Sequence, residues 1–166
     1  MGLSSNILWH QTTLDGLKGI LNEQGFFYSY SLESILSRES KNNLNVAFPM
    51  VSLCDLPFSE LNDYIKKYGG YLIGMKRTWG KSNGLAPVWY CDSESTILNA
   101  IIDRYNQIEV NIKNGKNFTI SREIFLYTLS HIKNYEGQLI AHDFNKYRFY
   151  DEREFRSEPI GFSPCT

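Results

Sequence analysis

Apolar residues recur along the chain in two rhythms, one near 3.6 residues and one of two, and the points where they change outline its elements. Leu8 and Trp9 open a short strand that ends in the polar run His10, Gln11, Thr12 and Thr13. Leu14, Leu17, Ile20 and Leu21 follow at helical spacing, with Thr12 or Thr13 able to cap the first turn and Gly25 placed where a helix stops. The pattern predicts an extended aromatic stretch over 26–30 and a short helix over 32–37, capped by Ser31, with Leu32, Ile35 and Leu36 on one side. Residues 41–45 are polar and Asn-rich and read as a loop. Residues 47–53 read as a strand that starts at an edge or bulge, because Pro49 cannot donate to a ladder. A helix beginning at a Ser59 cap puts Leu61, Tyr64, Ile65 and Tyr68 on one stripe and closes at Gly69-Gly70.

Residues 71–75 form a strong strand candidate, and Gly74 inside it marks either a close approach or a bend. Residues 78–84 are turn-like and 87–91 read as a strand. From Asp92 or Ser93 a helix is expected to about 105, with Ile97, Leu98, Ile101 and Ile102 buried, and 106–118 carries no clear rhythm. A second long helix is expected over 121–135 through Ile124, Phe125, Leu129 and Ile132. His131 lies near that stripe and reads as a packed or surface histidine, while His142 falls in a strand-like stretch, 139–144, with no metal-spaced partner. No Ser or Cys has the strand–turn–helix setting of an activated nucleophile, so Ser-His-Asp hydrolysis is unsupported.

The last informative stretch is 147–156. As a strand, its period of two puts Tyr150, Glu152, Glu154 and Arg156 on one face and Asp151, Arg153 and Phe155 on the other. Adjacent carboxylates repel, and one pKa rises unless Arg156 or Lys146 compensates. An edge strand whose alternating charges discourage aggregation is the competing explanation.

Composition narrows the setting. A chain of 166 residues suits one domain spanning 1–166, large enough to bury roughly two-thirds of its unfolded surface. Cys54, Cys91 and Cys165 are odd in number and widely spaced, which supports neither a disulfide framework nor a zinc site. No basic segment followed by an apolar run opens the chain and no stretch approaches the ~20 apolar residues of a membrane span, so a cytoplasmic protein without a membrane partner is expected. Seventeen basic against eighteen acidic side chains argue against a general electrostatic grip on nucleic acid. Lys66-Lys67, Lys76-Arg77 and Lys81 leave only a local strip, for which a solvated helix face plus a strand end is the favoured reading.

The opening strand and helix resemble the start of the ADP-ribosyltransferase superfamily, where a strand ending in His-x-Thr precedes a helix of the form x-x-L-x-x-I-L-x-x-G-F. Here His10 and Thr12 are followed by Leu17, Ile20, Leu21, Gly25 and Phe26. Over most of the chain, segments 48–57, 68–74 and 150–156 together with Trp79 resemble the bacterial abortive-infection family AbiGi, described as an antitoxin of phage resistance.

The first resemblance implies an α+β domain with a split or strongly bent mixed β-sheet and flanking helices, its cleft lying between the opening junction and the late acidic strand. It implies NAD as substrate and a protein or nucleic-acid acceptor. Glu154 takes the role of the late catalytic glutamate, stabilising the oxocarbenium-like transition state, and Glu152 orients the acceptor. At ~4 Å and an effective dielectric of ~20, such a carboxylate supplies about 4 kcal/mol, close to a thousandfold in rate. His10 would bind the adenosine ribose, Gln11 and Thr12 would lie by the nicotinamide carboxamide, and Tyr71, then Tyr68, would wall the ring. Glu152-Arg153-Glu154 follows the pattern of arginine-modifying members, whereas His-x-Thr follows another branch. The second resemblance implies a non-catalytic antitoxin that binds a partner toxin. Cleavage of NAD by water is the third expectation.

Overall fold

The computed structural model describes residues 6–36, 43–68, 70–117, 119–139 and 144–161. Strand β1 (Ile7–Thr12) runs directly into helix α1 (Leu14–Glu23). Thr13 is the cap: it is extended, and its hydroxyl accepts from the Gly16 N–H at 3.1 Å. The chain leaves α1 at Gln24, in the left-handed region at φ 53°, one residue before the expected Gly25.

Strand β2 (Ser29–Leu36) replaces the helix expected over 32–37, whose last residue lies outside the described residues. Glu33 and Ile35 are buried while Leu32 is 68% exposed, so the period of two governs. A six-residue amphipathic turn is too short to hold itself together, whereas pairing along a full neighbouring strand satisfies the backbone groups that face it. That neighbour, β3 (Asn43–Cys54), also absorbs 43–45, expected in a loop. At its far end Leu36 is closed by a side chain: its N–H donates to Asn134 Oδ1 at 2.8 Å and its carbonyl accepts from Asn134 Nδ2 at 2.9 Å.

Helix α2 (Leu61–Tyr68) follows a 3-10 turn at Phe58–Glu60 and leads to β4 (Tyr71–Lys76). Gly70 between them has φ 86°, and a Cβ there would stand 2.4 Å from the Thr12 carbonyl oxygen, so both conformation and space require glycine. Gly74 is explained by the neighbouring strand: a Cβ on it would meet the Trp9 ring at 2.8 Å. Residues expected as a turn form α3 (Arg77–Ser82), and two short strands, β5 (Ala86–Pro87) and β6 (Trp89–Cys91), share the next stretch.

Helix α4 (Thr96–Lys113), capped by Ser95, runs eight residues beyond the expected end, with Ile108 buried against the core. Helix α5 (Thr119–Ser130) stops earlier than expected, because 132–134 form strand β7 (Ile132–Asn134), which pairs in parallel with β6. Strands β8 (Gly137–Leu139) and β9 (Phe144–Tyr147) pair with each other, and His142 between them lies outside the described residues. The single strand expected over 147–156 is broken. A 3-10 turn occupies Phe149–Glu152, Arg153 adopts φ 46°, and only then does β10 (Glu154–Ser157) begin. The left-handed residue reverses the backbone, which alternation of side chains does not reveal.

The principal sheet has the order β4-β1-β3-β10-β5, with β2 also paired to β3. All of its described pairs are antiparallel, so it is not the mixed sheet expected; the parallel β6–β7 pair stands apart. Strand β3 changes partner midway, with Met50 opposite Ser29 of β2 and Val51 opposite Ser157 of β10. Helices α4 and α5 cover one face through Leu98, Ile102, Leu126 and Leu129 against Ile35, Val46, Phe48 and Met50. Leu8, Val51, Leu53 and Leu85 form a second apolar cluster, and Cys54, Leu56 and Leu61 a third. Among the described residues, no helix is long and apolar enough to cross a membrane.

Candidate functional site

Two places carry the polar residues singled out above. At the end of β1, His10, Gln11 and Thr12 line a cavity of about 330 Å³ with Phe26, Phe27 and Ser52 among its walls. The His10 ring meets Phe26 edge to face at 5.0 Å, and its Nδ1 lies 2.9 Å from the Ser52 carbonyl oxygen. A carbonyl only accepts, so Nδ1 carries the hydrogen. Burial pushes the His10 pKa down, against a smaller upward pull from that bond, which keeps the ring neutral and leaves Nε2 an acceptor. Tyr71 stands opposite Thr12 in the β1–β4 ladder and is 44% exposed; it does not line this cavity. Tyr68 is the last residue of α2.

The second place is the start of β10. Glu154 and Arg156 lie two apart on one strand face, and Glu33 of β2, Lys133 of β7 and Glu152 of the preceding turn converge on them. Arg156, with no exposed surface, donates from Nε to Glu154 Oε1 at 2.8 Å and from Nη2 to Glu154 Oε2 at 3.0 Å and Glu33 Oε1 at 2.6 Å. Its Nη1 donates to the Ser130 carbonyl at 2.6 Å. Lys133 bridges Glu154 Oε2 at 2.9 Å and Glu152 Oε2 at 3.1 Å. The Glu154 N–H donates to the Tyr90 hydroxyl at 2.8 Å.

Burial works against the Glu154 carboxylate, but the Arg156 guanidinium and then the Lys133 ammonium outweigh it and bring the group down to about 2. For Glu33 burial wins over the same cations and its pKa is raised. Burial would lower Lys133, yet Glu154 and Glu152 raise it overall, so it stays charged. Three carboxylates and two cations thus form one buried cluster, with Glu154 only 6% exposed.

The two places do not open onto each other at the expected acid. Trp9 and Glu154 both stand opposite Cys54 on flanking strands, so Glu154 shares a side with Trp9 and His10 points to the other. Neither Glu152 nor Glu154 lines the His10 cavity. Glu152 instead forms part of the wall of a larger cavity, about 590 Å³, with Tyr64, Tyr147 and Tyr150. Sequence reasoning missed Glu33 and Lys133, since both were assigned to helices. A lysine directly after Ile132, in a run of buried residues, is the signal that could have found one of them.

Comparison with known proteins places a family on most of this chain. The family model for the abortive phage resistance protein AbiGi, antitoxin, matches residues 24–161. No curated protein and no solved structure matches it.

Proposed function

We propose, for a chain that belongs to the AbiGi family of abortive phage resistance proteins, that it serves as the antitoxin of a pair and restrains a partner toxin by binding it, with no chemistry of its own. The observation that carries this reading is the closure of Glu154. Stabilising an oxocarbenium-like ribose requires a carboxylate whose charge is turned toward the sugar. Here that charge is spent on Arg156 and Lys133 at 2.8–3.0 Å beneath the surface.

A second reading is transfer of ADP-ribose from NAD to a protein or nucleic acid, or NAD cleavage by water. It is favoured by one observation, that His10, Gln11 and Thr12 line a single cavity with Phe26 and Phe27. The two readings part in one experiment. Purified chain, wild type and Glu154→Gln, is incubated with labelled NAD and cell extract, and separately co-expressed with the product of the neighbouring gene. Rescue of growth from that product, with co-purification and no nicotinamide release, is the expected result. Label transfer or nicotinamide release that vanishes in Glu154→Gln would overturn the antitoxin reading.

A further inference from the structure

The cavity at the end of β1 combines aromatic walls with one fixed hydrogen-bond acceptor. No charged side chain stands among its described walls, so it offers an ionic partner to neither an anion nor a cation. Its volume of about 330 Å³ suits a single ring system.

The acceptor is His10 Nε2. Burial keeps the ring neutral, and because Nδ1 donates to the Ser52 carbonyl at 2.9 Å, the lone pair is left on Nε2. Among the described residues that carbonyl is the ring's one hydrogen-bonding partner. Nε2 is not sealed inside the protein, so it faces open space, and the cavity is the space that this side chain lines. The ring is also held in place. Phe26 meets it edge to face at 5.0 Å and is itself backed by Trp79 at 5.3 Å. A fixed acceptor beside an aromatic wall calls for a flat, uncharged group with an N–H to give. Indole is such a group, since its nitrogen donates and does not accept.

The surroundings suit a protein better than a free small molecule. Phe27, one of the walls, is 61% exposed. Helix α1, which adds Ile20 to the wall, has no buried residue, and its Leu21 is 63% exposed. Exposed apolar side chains beside a pocket with a polar anchor point are the pattern of a protein interface, and tryptophan is prominent among the residues that anchor one.

From this we propose that the cavity at His10 receives a tryptophan side chain of the partner toxin, with its ring among Phe26, Phe27 and Met50 and its indole N–H donating to His10 Nε2. The source of the side chain rests on the antitoxin reading, while the fit of an indole stands on the cavity alone.

The test has two arms. In the first, N-acetyltryptophanamide is titrated into the full chain while the His10 and phenylalanine-ring NMR signals are followed. Beside it runs the benzothienylalanine counterpart, in which sulfur replaces the N–H at nearly the same size. The expected result is saturable shifts of His10, Phe26 and Phe27, with the sulfur probe about tenfold weaker. Phe27→Ser, at an exposed ring, should weaken both probes, and His10→Phe should abolish the difference between them. Equal affinity of the two probes for the wild type, no shift of these rings, or a preference for indole that persists in His10→Phe overturns the inference. Displacement of the probe by NAD, with release of nicotinamide, overturns it in favour of the second reading. In the second arm the product of the neighbouring gene is captured by the wild-type chain and by Phe27→Ser. Loss of capture in the variant, with N-acetyltryptophanamide competing in the wild type, supports the inference. Equal capture by both overturns it and leaves the antitoxin reading standing, whereas probe binding without capture by either chain overturns the toxin as the source of the side chain.

Discussion

Replacing Arg156 by Met should be among the most damaging single changes the fold can suffer. The guanidinium makes four hydrogen bonds, at 2.6, 2.6, 2.8 and 3.0 Å, from a position with no exposed surface. Methionine fills much of the space but leaves Glu33 and Glu154 with Lys133 as the one remaining cation of the cluster, and the Ser130 carbonyl without this donor. Removing one partner of a buried ion pair costs about 3–5 kcal/mol, because the charge left behind is neither solvated nor paired. Against a total stability of about 5–15 kcal/mol for a domain this is a large share. At roughly 2–4 °C per kcal/mol, the melting temperature should fall by about 6–20 °C. Urea unfolding followed by circular dichroism measures the loss, and the triple variant Arg156→Met, Glu154→Gln, Glu33→Gln should recover much of it, since no charge is then stranded. A loss below about 1 kcal/mol in Arg156→Met, or a triple variant no better than the single, would refute the view that these groups form one energetic unit.

Three further outcomes follow from particular contacts. Glu154, lowered to about 2 in the fold, stabilises above the ordinary carboxylate pKa and loses that contribution as pH falls from about 4.5 toward 2. Acid unfolding should therefore lose part of its pH dependence in that window in Glu154→Gln, as read by melting temperature against pH. Gly70→Ala forces a side chain into φ 86° and against the Thr12 carbonyl, and should cost about 1–3 kcal/mol in urea unfolding. Thr13→Ala removes the acceptor for the Gly16 N–H and should cost about 1 kcal/mol, with earlier hydrogen exchange confined to the first turn of α1.

Where an element answers to local rules, its residues announced it. The β1–α1 junction, its Thr13 cap and the Leu98–Ile102 side of α4 are short-range features, set by capping and by helical spacing, whereas Ile97, expected in the buried stripe, is 67% exposed. The region 32–36 shows the limit of that reading, because Leu32, Ile35 and Leu36 fit a helix and a strand about equally, and only the existence of β3 beside them decides. The break at Arg153 was equally hidden, since a non-glycine residue at positive φ leaves no composition signal. The cavity at His10, Gln11 and Thr12 lies where the strand-to-helix transition suggested. The fate of Glu154 did not show, because its partners Lys133 and Glu33 are supplied by strands distant in sequence, and a carboxylate pattern says nothing of which cations will meet it.

The amide of Asn134 has an effect beyond the residue it touches. Offering one donor and one acceptor to Leu36, it stands in for the next strand of a sheet at the place where β2 ends. An incoming peptide trying to add itself along that margin would find the terminal backbone groups already engaged. Loss of this plug, as in Asn134→Ala, would open a longer template for unwanted association between chains.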